Sequence, residues 1–297
     1  MKITVLVDNI GTGELVGEWG LSFYIEYQGK SFLLDAGGSG TFAENARKLG
    51  LNLENVDYAV LSHAHYDHAD GMADFFERNR TAKLYLQESC QEDCWRVKED
   101  RSMKYIGIRA GMLEEYRCRL RRVHGDMDIC EGVRLVAHHT PHLEEAGARE
   151  QMFRKEGGAW VTDCFSHEQS LVFEVGDGIV ILNSCSHGGA DNIIREVAEE
   201  YPGKRIRAMI GGFHLHNKED GYIRELARRI RKTGVEEICT GHCTGENGYR
   251  VLREELGDRV RQLRAGLELE YQEPGQEELK HQGPEWEEPE TRCEKKI

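Results

Sequence analysis

The segment His63-Ala64-His65-Tyr66-Asp67-His68 places four side chains able to bind a metal within six residues. His63 and His65, two apart in an extended segment, point the same way and can grip one ion. Asp67 and His68 follow in the turn and can reach a second. Neutral imidazoles with a carboxylate suit zinc, with iron and manganese as alternatives. Histidines at a strand end can also be plain solvated loop residues, but four ligands at this spacing are rarely an accident. The chemistry such a cluster offers is the activation of water by a bound divalent ion.

The elements that position this cluster are legible around it. Leu21 to Tyr27 alternates, Gln28-Gly29-Lys30 turns the chain, and Ser31-Phe32-Leu33-Leu34-Asp35 continues as a second strand. Phe42 to Leu49 has helical spacing closed by Gly50. The apolar run Val56 to Leu61 then delivers the histidines at its carboxyl end, where sites gather in open α/β sheets. Further on, Ser170 to Val175, a Gly176-Asp177-Gly178 turn and Ile179 to Leu182 read as a hairpin. A helix over about 191–200, a strand over 205–210, a helix over 220–233 and a strand over 235–240 follow. That last strand ends in Gly241-His242-Cys243-Thr244-Gly245.

The chain has 297 residues, 39 Lys and Arg against 53 Asp and Glu, and a net charge of −14. It is long enough for one large domain with a sizeable core. No apolar run approaches the ~20 residues needed to span a bilayer. The opening strand Lys2 to Val7 lacks the features of a secretory signal, so a cytoplasmic location is expected and no membrane partner. The acidic balance argues against nucleic acid as a generic partner, and oligomeric state is left open. Nine cysteines, odd in number and irregular in spacing, fit reduced thiols better than a disulfide framework. Residues 76–124 run against the overall balance, with a local net charge of +4. The stretch 78–162 reads as an insertion or subdomain of α+β type. Its charge fits either a solvated face or an anion-binding lid, for which Lys104 and Arg109 are candidates together with Arg117 to Arg122. The segment 272–297, rich in acid and proline, reads as a disordered tail.

His63 to His68, with the strand-end Asp35 upstream, resembles the signature of the metallo-β-lactamase superfamily. The resemblance implies an α/β fold, the αβ/βα four-layer sandwich, over 1–77 and 163–271, with 78–162 inserted. It also implies a site for two divalent metal ions at one edge of the sheets. A further histidine should complete the first ion's set. His167, three residues before the 170–175 strand, suits this better than the polar-flanked His138-His139-Thr140-Pro141-His142. The expected aspartate after the following strand is replaced by Cys185, a good zinc ligand; an inert Cys185 with His187 ligating instead is the alternative. His242 matches the last motif. The resemblance thus implies His63, His65 and His167 on one ion, Asp67, His68, Cys185 and His242 on the other, and Asp35 behind them orienting the histidines.

Ser166 to Leu171, Cys185 to Gly189, Gly211 to Leu215 and His242 to Gly245 together resemble one subgroup of that superfamily. It is named for the dihydropterin–ribofuranosyl-aminobenzene phosphate synthase of methanopterin biosynthesis and includes proteins called metal-dependent hydrolases. The first function implied is hydrolysis by a metal-bound hydroxide, on a small molecule that could carry phosphate. Asp67, His187 and His214 are then the candidate catalytic residues, although His187 and His214 could equally orient other ligands. The second is a transfer condensing a dihydropterin pyrophosphate with an aminobenzene ribose phosphate. A third reading, from the thiol in the ligand set, is a metal-binding or redox-responsive protein without turnover. Cys90-x3-Cys94 and Cys239-x3-Cys243 each lack a second pair and carry little weight as separate metal sites.

Overall fold

Period-two runs and short turns build the first sheet of this computed structural model, which describes residues 1–275. Gln28 and Gly29 both adopt positive φ (47° and 72°), which gives the two-residue turn that matches strand twist and pairs Ser22–Tyr27 with Lys30–Leu34. The sheet has seven strands, in the order Glu268–Glu270, Lys2–Val7, Ser22–Tyr27, Lys30–Leu34, Tyr58–Val60, Lys83–Gln87 and Leu120–Val123. From Lys30–Leu34 onward the strands run parallel, so their carboxyl ends share one edge.

The second sheet also has seven strands: Val260–Gln262, Glu237–Thr240, Arg205–Gly211, Gly178–Leu182, Gln169–Val175, Val133–Ala137 and Met127–Cys130. Gly176-Asp177 closes the expected hairpin, with Val175 opposite Gly178. Gly178–Leu182, Arg205–Gly211, Glu237–Thr240 and Val260–Gln262 are parallel.

Three apolar clusters define four layers. One lies between the first sheet and the helices Thr41–Lys48 and Met72–Arg78, holding Leu33, Phe42, Phe75 and Leu84. A second lies between the sheets, where the Phe173 ring meets Tyr27 and Phe32 edge-on at 5.2 Å each. Tyr27 completes the bridge by donating its hydroxyl to the Glu174 carbonyl at 2.9 Å. A third packs the second sheet against Ala190–Glu200, Asp220–Thr233 and Gly245–Leu256. Helix Asp220–Thr233 shows why: Ile223, Leu226, Ala227 and Ile230 fall on one face, and Gly234 at φ 78° ends it. This is the four-layer α/β architecture the sequence implied.

The stretch expected as an insertion is divided among the layers. Within 78–162, Lys83–Gln87 and Leu120–Val123 extend the first sheet, and Met127–Cys130 and Val133–Ala137 extend the second. What stands apart is a four-stranded sheet (Ala159–Thr162, Met152–Glu156, Cys94–Val97, Met103–Tyr105) with the helix Leu143–Glu150. The edge strands are short and charged, which hid their pairing from a reading by periodicity. Most of the expected tail, from 276 on, lies outside the described residues. Among the described residues no helix is long and apolar enough to cross a membrane, and the eight cysteines are free.

Candidate metal centre

The carboxyl edges of the two sheets meet at one place. Asp35 and the segment Ser62–His68 leave the first sheet there, while Cys185, His187, His214 and His242 leave the second. Asp35, Ser186, His214 and His242 all hold positive φ, between 46° and 57°. Such left-handed backbone at non-glycine residues costs about 1–3 kcal/mol each and persists where surrounding structure over-determines it.

Hydrogen bonds behind the imidazoles fix their tautomers. Asp35 Oδ1 accepts from Ser62 N, and Oδ2 accepts from Ser62 Oγ (2.7 Å) and His68 Nδ1 (2.8 Å). Because Ser62 Oγ gives its proton to Asp35, it accepts from His63 Nδ1 at 2.8 Å. His242 Nδ1 lies 3.2 Å from Asn9 Oδ1, while Asn9 Nδ2 donates to the His242 carbonyl. In all three rings Nδ1 therefore carries a proton, and Nε2 faces inward. His63 Nε2 and His65 Nε2 are buried without any hydrogen-bond partner, as are both nitrogens of His187. Such orphaned ring nitrogens are expensive in a folded interior, and a cation would satisfy those that carry a lone pair.

Burial, with the neighbouring imidazoles, pushes His63 and His187 well below the usual histidine range. Burial likewise takes His65 and His242 down to about 3. Burial would depress His68 too, but the Asp35 carboxylate outweighs it and raises it. His63, His65, His187 and His242 are thus held towards the neutral form, the state a metal requires.

The ligand atoms fall into groups. His63 lies with Cys185 and His187, and His68 with Cys185 and His242, each set within 4.8 Å. Asp67 Oδ2 is 3.5 Å from His242 Nε2. Asp67, His68, Cys185 and His242 therefore converge as expected. His167 does not join His63. Its Nδ1 accepts the Ala64 backbone N–H at 3.2 Å, so the ring proton sits on Nε2, 3.3 Å from Asp163 Oδ2. With His65, Cys94 and Asp163 it forms a further group whose ligand atoms lie within 4.8 Å of one another. His167 also ties the Ala64 backbone to Asp163 and Cys94, while His187 lies 5.1 Å from His63 and 5.0 Å from His65 between ring centres. His138 is also satisfied within the protein, between Glu196 and Ser170.

A second chemical character adjoins this group. Cys185 Sγ donates to Cys243 Sγ at 3.3 Å, and the His214 backbone N–H also donates to Cys243 Sγ at 3.3 Å. Burial alone would raise both thiols and does raise Cys185; at Cys243 the Cys185 donor and the His242 and His214 rings overcome it and lower it. His214 Nε2 sits 3.4 Å from Glu150 Oε2. Against the cost of burial, Cys243 and Glu150 lift His214 to about 9.

The group opens on a cavity of about 790 Å³ whose wall includes Trp19, Tyr66, Arg96, Lys98 and Lys104. Lys104 stands 5.5 Å over the Tyr66 ring. Arg109, expected to bind an anion, is absent from this wall and pairs with Glu115 at 2.9 Å. Arg119 and Arg122 are occupied by main-chain carbonyls at Asn79, Ala82, Glu88 and Cys90, and Arg117 pairs with Glu114. The basic groups at the mouth, Arg96, Lys98 and Lys104, come from two strands of the separate four-stranded sheet and the loop between them, which also brings Glu99 and Asp100 to the wall. Ser62, Asn9 and Arg96 carry no motif of their own. Cys243, within His242 to Gly245, was signalled by the sequence.

A family model described as the metallo-beta-lactamase superfamily matches residues 20–150. The chain is 26% identical over 275 residues to the 7,8-dihydropterin-6-methyl-4-(beta-D-ribofuranosyl)-aminobenzene-5'-phosphate synthase of Methanocaldococcus jannaschii, spanning 85% of this chain and 90% of the relative. An uncharacterized protein of the same organism is 31% identical over 254 residues, 82% of this chain and 90% of the relative. The crystal structure of Tm1679, described as a metal-dependent hydrolase of the beta-lactamase superfamily, matches with a TM-score of 0.80 at 28% identity, over 92% of this chain and all of that one.

Proposed function

This chain belongs to the metallo-beta-lactamase superfamily, and from that premise we propose that it is a hydrolase that works with two divalent ions on an anionic small molecule. The observation that carries this reading is the set of inward-facing Nε2 atoms of His63, His68 and His242, their Nδ1 protons all committed to oxygens behind them. His63, His65 and His187 would hold one ion; Asp67, His68, His242 and Cys185 the other. Cys185 favours zinc in the second position, with iron and manganese the alternatives in the first. Bound divalent ions supply Lewis acidity and lower the pKa of water towards neutrality.

The protein's own groups do the rest. Asp35 and Ser62 hold the His63 and His68 rings in one orientation, so no reorganisation is needed during reaction. Arg96, Lys98 and Lys104 line the mouth of the cavity and would hold the anionic part of the substrate; phosphate is the simplest group that fits. Trp19, half-exposed beside His242 at 5.0 Å, offers a flat face for an apolar or ring portion. The test is a panel of phosphomonoesters, phosphodiesters and carboxylic esters offered to zinc-loaded protein. Cleavage that vanishes in His68→Ala supports hydrolysis, and cleavage that survives it excludes this site.

A transfer reading has one specific support, the similarity over nearly the full chain to the dihydropterin synthase of Methanocaldococcus jannaschii. Condensation of a dihydropterin pyrophosphate with an aminobenzene ribose phosphate, with pyrophosphate released and no cleavage across the panel, would replace the hydrolytic reading.

A further inference from the structure

We propose that Cys185, Cys243 and His214 form a third metal position, suited to a thiophilic divalent ion and opening onto the same cavity. One ligand atom from each lies within 4.8 Å of the others, and all three residues line the cavity. The two sulfurs are 3.3 Å apart. Sulfurs bound tetrahedrally at about 2.3 Å from zinc stand roughly 3.8 Å apart, so the pair needs to open by only about half an ångström.

The surroundings are built as a metal-thiolate site is built. The His214 backbone N–H donates to Cys243 Sγ, which tempers charge on a thiolate. Behind the His214 ring, Nε2 meets Glu150 Oε2 at 3.4 Å, and Glu150 is itself fixed by Asn217 Nδ2 at 2.8 Å and by Lys218. A carboxylate behind an imidazole is the arrangement that orients histidine ligands. Both ring nitrogens of His214 are buried without a hydrogen-bond partner, the Glu150 contact being an ion-pair distance only. Gly212 makes room for the sulfur: a Cβ there would stand 2.4 Å from Cys243 Sγ. His214 is held at φ 49°, an uncommon backbone conformation for a residue with a side chain.

Three protein ligands facing a cavity leave a fourth direction open, the pattern of reactive rather than purely structural zinc positions. Cys185 also belongs to the groups of His63 and of His68. A thiolate has lone pairs enough to bridge two ions, so the third position extends the two-ion centre, and the inference rests on that centre through Cys185 alone.

The test uses metal-free, reduced protein titrated with cadmium(II), with bound ions counted by elemental analysis and sulfur-to-cadmium charge transfer followed in the ultraviolet. Three ions per chain are expected, with Cys243→Ser losing one ion and about two thirds of the charge-transfer band. Glu150→Gln is expected to weaken the third ion alone by roughly 10–100-fold. Saturation at two ions in the wild type, or a Cys243→Ser titration superimposable on it, overturns the third position and leaves the two-ion centre standing. Saturation below two overturns both. Should circular dichroism show Cys243→Ser to be misfolded, the wild-type count and the Glu150→Gln titration decide.

Discussion

The Nε2 atoms of His68 and His242 face each other at 3.2 Å, each ring having already given its Nδ1 proton to an oxygen, at Asp35 and Asn9. Two buried lone pairs at this distance repel unless a proton or a cation stands between them. A divalent ion satisfies both at once, so the metal-free fold carries a local cost that metal removes. Zinc at about 100 times its Kd stabilises a folded state by about 2.7 kcal/mol per site. Thermal unfolding with and without chelator should show a drop in Tm of several degrees on metal removal; an unchanged Tm would count against the pair as a ligand pair.

Asp35 acts through other residues. Its carboxylate receives Ser62 N, Ser62 Oγ and His68 Nδ1. Asp35→Asn keeps the shape but replaces one acceptor oxygen with a donor that opposes these protons. Metal affinity should fall by roughly 10–100-fold, read by competition with a chromogenic chelator. Wild-type affinity in that variant would mean the histidines orient themselves.

His187 and His167 separate two ligand assignments. His187→Ala should lose one ion per chain. His167→Gln should keep its ions and instead lose about 1–3 kcal/mol of stability, because Asp163 and the Ala64 N–H lose their partner. Metal content with denaturant unfolding on both variants checks this, and the reverse pattern would restore His167 to the first ion.

Charge at the cavity mouth should govern substrate choice. Arg96→Ala should raise KM for a phosphorylated substrate roughly 10-fold with kcat little changed, the loss of one charge-assisted hydrogen bond. Arg109→Ala, whose guanidinium is engaged by Glu115, should leave KM as it is. Equal effects from the two would show that the mouth recognises only diffuse charge.

What could be read in advance followed sequence locality. His63 to His68 is one short segment after one strand, so its spacing carries its geometry. Cys185 and His242 each end an apolar strand of a parallel sheet, and topology brings such ends together. His167 stands before the Gln169–Val175 strand as its spacing implied, while the contact of its Nδ1 with the Ala64 N–H, 103 residues away, has no signal in sequence. Asn9 and Ser62 are ordinary residues in sequence and gain meaning only from the rings they face. The arginines at 117–122 looked like an anion site because sequence counts charge without showing that carbonyls at Asn79, Ala82 and Cys90 already occupy two of them.

The central claim is that the imidazoles gathered at the sheet edges hold metal. The direct measurement is elemental analysis of protein purified without added metal and then reconstituted with zinc, beside a His63→Ala/His68→Ala double variant of verified fold. At least two zinc ions per wild-type chain, and a loss of both histidine-held ions in the variant, are expected. Little metal in the reconstituted wild type, or equal metal in the two proteins, would contradict the account.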